Sequence, residues 1–231
     1  MTEPRFAIYF TPPPDSRLAR FGAAALGYDC DRASEVAQLA LPGIDATALA
    51  AAASEPRRYG FHATLMAPFH LAAKTSECAL AAQLAAFAAG RALARLGRLV
   101  MGLIGGFIVL EPAAPADEVV ALAADCVRAF ADFRGPLSPA DRQRRIAAGL
   151  SPAQIALLDR WGYPYVLDEF RFHMTLAGPL PAREREPWRA ALAAAFADQA
   201  DDPVDVDAIS LVRQDDRGAR FRVIVRQPLN G

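Results

Sequence analysis

Paired cysteines, an excess of either charge and long apolar runs are all missing from this sequence, and each absence removes a class of protein. Cys30, Cys78 and Cys126 are odd in number, far apart and without a C-x-x-C pair, which argues against a disulfide framework or a zinc knuckle. They read as buried thiols. The 25 basic residues nearly cancel the 26 acidic ones, so a net charge of −1 offers no field for gathering a long polyanion. Long nucleic acid is therefore disfavoured as a partner. The longest apolar run, 99–110, is too short and too glycine-rich to span a bilayer. The start, MTEPRFAIYF, has neither the basic residues nor the apolar stretch of a signal peptide. A cytoplasmic protein with no membrane contact is expected. Lysine is nearly absent, with Lys74 alone, and abundant alanine accompanies it; both read as coding bias rather than function.

What is present suffices for a sizeable core, since 231 residues at 53% hydrophobic composition fit one large domain or two small lobes packed together. Phe6 to Phe10 reads as a strand stopped by Pro12-Pro13-Pro14, and Asp15 is placed to cap a helix with Leu18, Phe21 and Ala25 on one face and Gly27 at its end. A short helix is expected after Asp45. LSPAD at 137–141 and LSPAQ at 150–154 carry capping-box chemistry and start two more helices, ending near Gly149 and Gly162. The run Arg142-Gln143-Arg144-Arg145 reads as a solvated helix face rather than a nucleic-acid contact.

Two segments match nearly position for position: FHATLMAPF at 61–69 and FHMTLAGPL at 172–180. With three histidines and six threonines in the chain, chance gives two His-x-Thr pairs with a probability of roughly 0.002. The sequence after each copy matches as well. A helix with Leu80, Leu84 and Phe87 in line leads to a strand from Leu99, a turn at Gly105-Gly106 and a strand from Phe107. Correspondingly, a helix with Trp188, Leu192 and Phe196 leads to a strand from Val204, a turn at 215–218 and a strand from Phe221. This is an internal duplication, and it implies two pseudo-symmetric lobes within one domain, 1–231. The first motif lobe covers about 55–112 and the second about 165–231, while 1–54 and 113–164 contribute a strand and helices. How strands are exchanged between lobes is left open, as is the oligomeric state.

Alternation along a strand buries Phe61, Ala63 and Leu65 and projects His62 and Thr64 together on the other face; His173 and Thr175 project likewise. Imidazole can act as base or acid near neutral pH, and in-line hydrolysis of a phosphodiester needs one of each. The hydroxyls of Thr64 and Thr175 suit the non-bridging oxygens, where charge grows in the transition state. No metal or cofactor is required. Arg171 shares the strand parity of His173 and is a candidate substrate contact; Arg222 is a weaker one. Tyr163 and Tyr165 either line the site or pack. A zinc site from His62 and His70 is disfavoured by their separation and by Pro68 between them.

The motifs HATL and HMTL resemble the paired His-x-Thr-apolar motifs of the two-histidine (2H) phosphoesterase superfamily. FAIYF, LGYD, YGFHATL, RWGYPYV, FRFHMTL and FRVIVRQPL resemble its DUF1045-like branch, associated with phosphonate metabolism. The resemblance implies a bilobed α+β fold, with two antiparallel-sheet lobes, helices outside and a central cleft. It implies His62 and His173 as the catalytic pair and Thr64 and Thr175 as phosphate ligands. The implied activity is hydrolysis of a small cyclic phosphodiester, a sugar or nucleotide cyclic phosphate, and the phosphonate setting suggests a ribose cyclic phosphate. The alternatives are an RNA-end processing enzyme using the same histidines and a non-catalytic phosphate-ligand-binding accessory protein.

Overall fold

The structure is a computed structural model and describes residues 3–231. Strand β1 (Arg5–Phe10) leads to helix α1 (Arg17–Leu26), the short hairpin β2 (Tyr28–Asp29) and β3 (Ser34–Glu35), and helix α2 (Ala46–Ala53). The first repeat unit follows as β4 (Ala63–Phe69), α3 (Glu77–Ala89), β5 (Ala94–Gly97), β6 (Leu99–Ile104) and β7 (Phe107–Pro112). Helices α4 (Asp117–Ala129), α5 (Pro139–Ile146) and α6 (Pro152–Trp161) bridge to the second unit. That unit is β8 (Met174–Ala177), α7 (Ala182–Phe196), β9 (Val204–Val206), β10 (Ala208–Gln214) and β11 (Arg222–Pro228). This is an α+β fold, and among the described residues no helix is long and apolar enough to cross a membrane.

Local chemistry sets most of these boundaries. Ser138 and Ser151 cap α5 and α6 through their hydroxyls, and Gln154 closes a full capping box at the second. Asp45 caps α2 as expected. At α1 the cap is Ser16, whose Oγ accepts from the Ala19 amide at 3.0 Å, and not Asp15. The carboxylate of Asp15 meets Arg32 at 2.8 Å instead, an ion pair that the local sequence does not announce. Gly27 ends α1 at a φ of 74°, the left-handed conformation glycine adopts without strain. Cys30 and Cys126 are buried, but Cys78 is exposed in the first turn of α3, because the buried face of that helix is set by Leu80, Leu84 and Ala88.

Seven strands form one antiparallel sheet in the order β11-β10-β1-β4-β8-β7-β6. Its two halves are joined by a single residue pair, Ala63 with Met174, the central residues of the two His-x-Thr motifs. The pairing crosses the repeat: β4 of the first unit lies in the half that holds β10 and β11 of the second, and β8 lies beside β7 and β6. The helices follow their motif strands, with α3 against β10 and β11 and α7 against β6 and β7. The ladder of β5 with β9 runs where both repeat units change halves. Segments 55–112 and 165–231 thus delimit the sequence repeat, whereas strand pairing groups the first part of each unit with the last part of the other.

The strand β1 is buried from Phe6 to Phe10, with both faces covered, as a central strand requires. Phe6, Ile8 and Phe10 join the main core with Leu65, Leu80, Leu84, Met174 and Leu192, each such side chain contributing about 1.5–3 kcal/mol on burial. Tyr9 faces the other way, with Val212 and Phe221, beneath the ring of His62.

Candidate active site

His62 and His173 each precede the first residue of their strand, and Thr64 and Thr175 lie within β4 and β8. Burial alternates as the sequence predicts: Phe61, Ala63 and Leu65 are buried, as are Phe172, Met174 and Leu176, with the polar residues between them partly exposed. Continuing the antiparallel register of Ala63 and Met174 by one residue sets His62 opposite Thr175 and Thr64 opposite His173. The two histidines are then diagonal neighbours across the seam, a relation that separates β-carbons by roughly 7–8 Å. All four side chains line one cavity of about 360 Å³.

Both imidazoles are held by the same device. His62 Nδ1 donates to the carbonyl of Gly60 at 2.9 Å, and His173 Nδ1 donates to the carbonyl of Arg171 at 2.8 Å, in each case two residues back along the chain. A carbonyl oxygen only accepts, so the proton of the neutral ring sits on Nδ1 and the Nε2 lone pair is left for chemistry. The Thr64 hydroxyl donates to His62 Nε2 at 3.1 Å. Gly60 holds its carbonyl in place with a φ of 75°, and a β-carbon there would fall on the side chain of Cys30.

The His62 ring stacks on Tyr9, with centroids 3.6 Å apart and 20° between planes, and Tyr59 lies at 6.4 Å. Burial under these rings pushes the His62 pKa down to about 4; the Gly60 carbonyl opposes the shift and the nearby His173 adds to it. His62 is therefore neutral through the physiological range, with a basic nitrogen facing the cavity. Tyr9 is wholly buried, its hydroxyl has no hydrogen-bond partner among the described residues, and burial holds its pKa well above the usual phenol value.

Residues 64–222 match the family described as "Protein of unknown function (DUF1045)". The chain belongs to the DUF1045 family. It is 37% identical over 234 residues to the ribose 1,5-bisphosphate phosphokinase PhnN of Janthinobacterium sp. (strain Marseille), covering 98% of this chain and 51% of that protein. A second relative of the same description, from Laribacter hongkongensis (strain HLHK9), is 37% identical over 224 residues, 95% of this chain and 50% of its own length. The chain spans about half the length of the curated relatives it matches. Among solved structures it is similar to the TT0787 protein of Thermus thermophilus, with a TM-score of 0.46, 14% identity and 98% of each chain covered. It is also similar to Escherichia coli LigT complexed with 3′-AMP, with a TM-score of 0.41, 14% identity and 99% and 100% covered.

In this DUF1045 chain the two histidines and two threonines converge, but the Arg171 side chain does not join them. It is exposed and absent from the cavity wall, because Arg171 turns its backbone carbonyl, not its guanidinium, toward His173. Arg222 likewise stays outside and meets Asp215 at 3.5 Å. The arginines that line the cavity are Arg5, at the start of β1, and Arg145, at the end of α5. The run 142–145 divides accordingly. Arg142 pairs with Asp159 at 2.6 Å and Arg144 with Asp141 at 2.7 Å, while Arg145 lies over the ring of Tyr163 at 5.1 Å. Tyr163 lines the cavity and Tyr165 is exposed beside it. His70 hydrogen-bonds the Pro4 carbonyl at 3.1 Å and borders a neighbouring cavity, so it does not converge with His62.

Proposed function

We propose that this DUF1045 protein hydrolyses a small cyclic phosphodiester without a metal, with His62 as general base and His173 as general acid. The observation that carries the reading is the pair of imidazoles held by equivalent Nδ1-to-carbonyl bonds on one cavity, each with a threonine two residues on. The two halves of the sheet act as lobes, and the cavity is the cleft between them.

A water attacks phosphorus while His62 Nε2 takes its proton, a role suited to a ring kept neutral down to about pH 4. His173, entering the step as the imidazolium with a proton on each nitrogen, gives its Nε2 proton to the leaving oxygen as the phosphorus–oxygen bond breaks, and a phosphomonoester results. For the base to act, the Thr64 hydroxyl turns from Nε2 to a phosphoryl oxygen; Thr175 binds another, and the two donors offset the growing charge. The relatives named for ribose 1,5-bisphosphate favour a phosphorylated ribose as substrate, and phosphonate metabolism is the setting that the sequence resemblance suggests. Their kinase activity is not assigned to this chain, whose one lysine, Lys74, follows alanine and so cannot complete a G-x-x-x-x-G-K-[ST] phosphate loop.

The test is phosphorus NMR of wild type, His62→Ala and His173→Ala with ribose 1,2-cyclic and nucleoside 2′,3′-cyclic phosphates. Turnover by wild type in the presence of a chelator is expected, with a drop of about 10²–10⁴-fold in each variant. Full activity in both variants would sink the proposal.

A further inference from the structure

A second cavity, of about 440 Å³, adjoins the first, and Arg5, Tyr59, Pro68 and Arg145 belong to both walls. Its wall carries six arginines: Arg5, Arg58, Arg134, Arg144, Arg145 and Arg217. They come from four distant parts of the chain, the edge of β1, the turn before the first motif, the α4–α5 region and the β10–β11 turn. Among the described residues only Arg144 of the six meets a carboxylate, that of Asp141. Arg58 and Arg134 donate to backbone carbonyls, at 2.6 Å to Arg217 and at 3.2 Å to Gly135, and Arg5 donates to the Gln214 side chain at 2.8 Å. The Arg145 Nε is buried with no hydrogen-bond partner among the described residues. Burial lowers the Arg134 pKa, a sign that its charge is partly desolvated without an anion beside it. Glu55 at the first cavity and Asp141 at the second are the acidic groups on these walls, and Asp141 is engaged by Ser138 and Arg144.

Gathering unpaired guanidinium groups in a chain of net charge −1 costs free energy through like-charge repulsion, and an oxyanion offsets that cost. We infer that the second cavity is an anion subsite that takes a phosphomonoester on the same small substrate whose cyclic phosphate faces His62 and His173. The inference rests on the phosphodiesterase reading for the first cavity, and it narrows the substrate class to bisphosphorylated small molecules. A nucleic-acid backbone fits less well. Three arginines outside both cavities are paired with carboxylates, Arg142 with Asp159, Arg220 with Glu35 and Arg213 with Glu77, and so are less free to extend the cluster into a backbone track.

Calorimetric titration with ribose 5-phosphate tests the subsite without turnover. Wild type is expected to bind it, and Arg58→Gln and Arg217→Gln, both at exposed turns, are each expected to weaken binding about 10- to 100-fold. Arg183→Gln, outside both cavities, serves as the control. Kinetics on two ribose 1,2-cyclic phosphates that differ only in a 5-phosphate supply the second measurement. The wild-type preference in kcat/KM for the 5-phosphorylated compound should collapse in the arginine variants. Undiminished ribose 5-phosphate binding in those variants would overturn the subsite, as would displacement by a short oligoribonucleotide at lower concentration than ribose 5-phosphate itself. Arginine-dependent binding with no hydrolysis of any cyclic phosphate would support the subsite and remove the phosphodiesterase reading. Hydrolysis with no preference for the 5-phosphate would do the reverse.

Discussion

The two His-x-Thr motifs share a backbone frame and differ in what covers them. Thr64 is paired across the sheet with Tyr9 of β1, and Thr175 with Val109 of β7, so an aromatic ring stands at one position and an isopropyl group at its counterpart. His62 consequently stacks on Tyr9 at 3.6 Å, whereas no aromatic stack is formed by His173 among the described residues. The repeat holds two equivalently anchored imidazoles, and the aromatic cover on His62, Tyr9 above all, makes their environments unequal. Unequal environments are what one base and one acid require, because the same ring cannot favour both protonation states at one pH.

After the histidines themselves, the largest effects come from removing the hydroxyls that both motifs keep. On the proposed mechanism Thr64→Val and Thr175→Val each remove one donor to the phosphoryl oxygens, and each is expected to lower kcat by about 10²–10³-fold in steady-state assays. The comparison sharpens in the ratio of the two losses. Thr64 also occupies His62 Nε2, so its loss frees the base while Thr175→Val leaves that contact intact. A loss about tenfold smaller for Thr64→Val than for Thr175→Val would follow if releasing that contact limits the rate.

A pH profile separates the two rings next. With His62 as base and its pKa near 4, kcat/KM should fall on the acid side with a midpoint near 4, since protonation below that value removes the Nε2 lone pair. Tyr9→Val would make the first motif resemble the second and should move that limb toward the ordinary imidazole value. Stability carries the same sign. The unfolded chain takes up the His62 proton at higher pH than the folded one does, so the folded state loses up to about 3 kcal/mol as pH falls from 6.5 to 4. A limb that stays put in Tyr9→Val would assign it to another group.

The carbonyls that orient the rings offer a gentler test. The first belongs to Gly60 at a positive φ against Cys30, the second to Arg171, so equal roles rest on unequal residues. Gly60→Ala is expected to cost about 1–3 kcal/mol from backbone strain, with the clash against Cys30 in addition, and to lower activity by displacing His62. Arg171→Ala, which keeps the carbonyl and removes only an exposed side chain, should change stability in chemical denaturation by less than about 0.5 kcal/mol. A large loss of activity in Arg171→Ala would show that its guanidinium reaches substrate after all.

These differences mark where the sequence stopped being informative. Strand alternation and capping are local, so His62, Thr64, His173 and Thr175 on one face, the Ser138 and Ser151 caps and the Gly27 stop were all legible. Strand exchange was not. Both hairpins carry similar alternating patterns, and nothing within β6–β7 or β10–β11 says which motif strand it will join. Parity pointed Arg171 at the site, but parity holds within a strand and Arg171 lies three residues before β8 begins. Arg5 and Arg145 were missed for the opposite reason. They reach the site through tertiary packing of β1 and α5, and their one local sign was an arginine run whose other two members pair with carboxylates.

A substitution of one atom isolates the ring of Tyr9 from its hydroxyl. The phenol is buried with no partner among the described residues, so its folded-state contribution to hydrogen bonding is nil while its desolvation cost is fully present. Tyr9→Phe keeps the stack on His62 and removes that cost, and chemical denaturation should find the variant as stable as wild type or more stable by about 1 kcal/mol. The acid limb of kcat/KM should remain near 4, because the ring, not the hydroxyl, desolvates the imidazole. Lower activity at unchanged stability would give the hydroxyl a different task, donation to bound substrate from the cavity wall it already lines. The inequality between the two motifs would then extend to a third phosphate ligand that the Val109 side cannot supply.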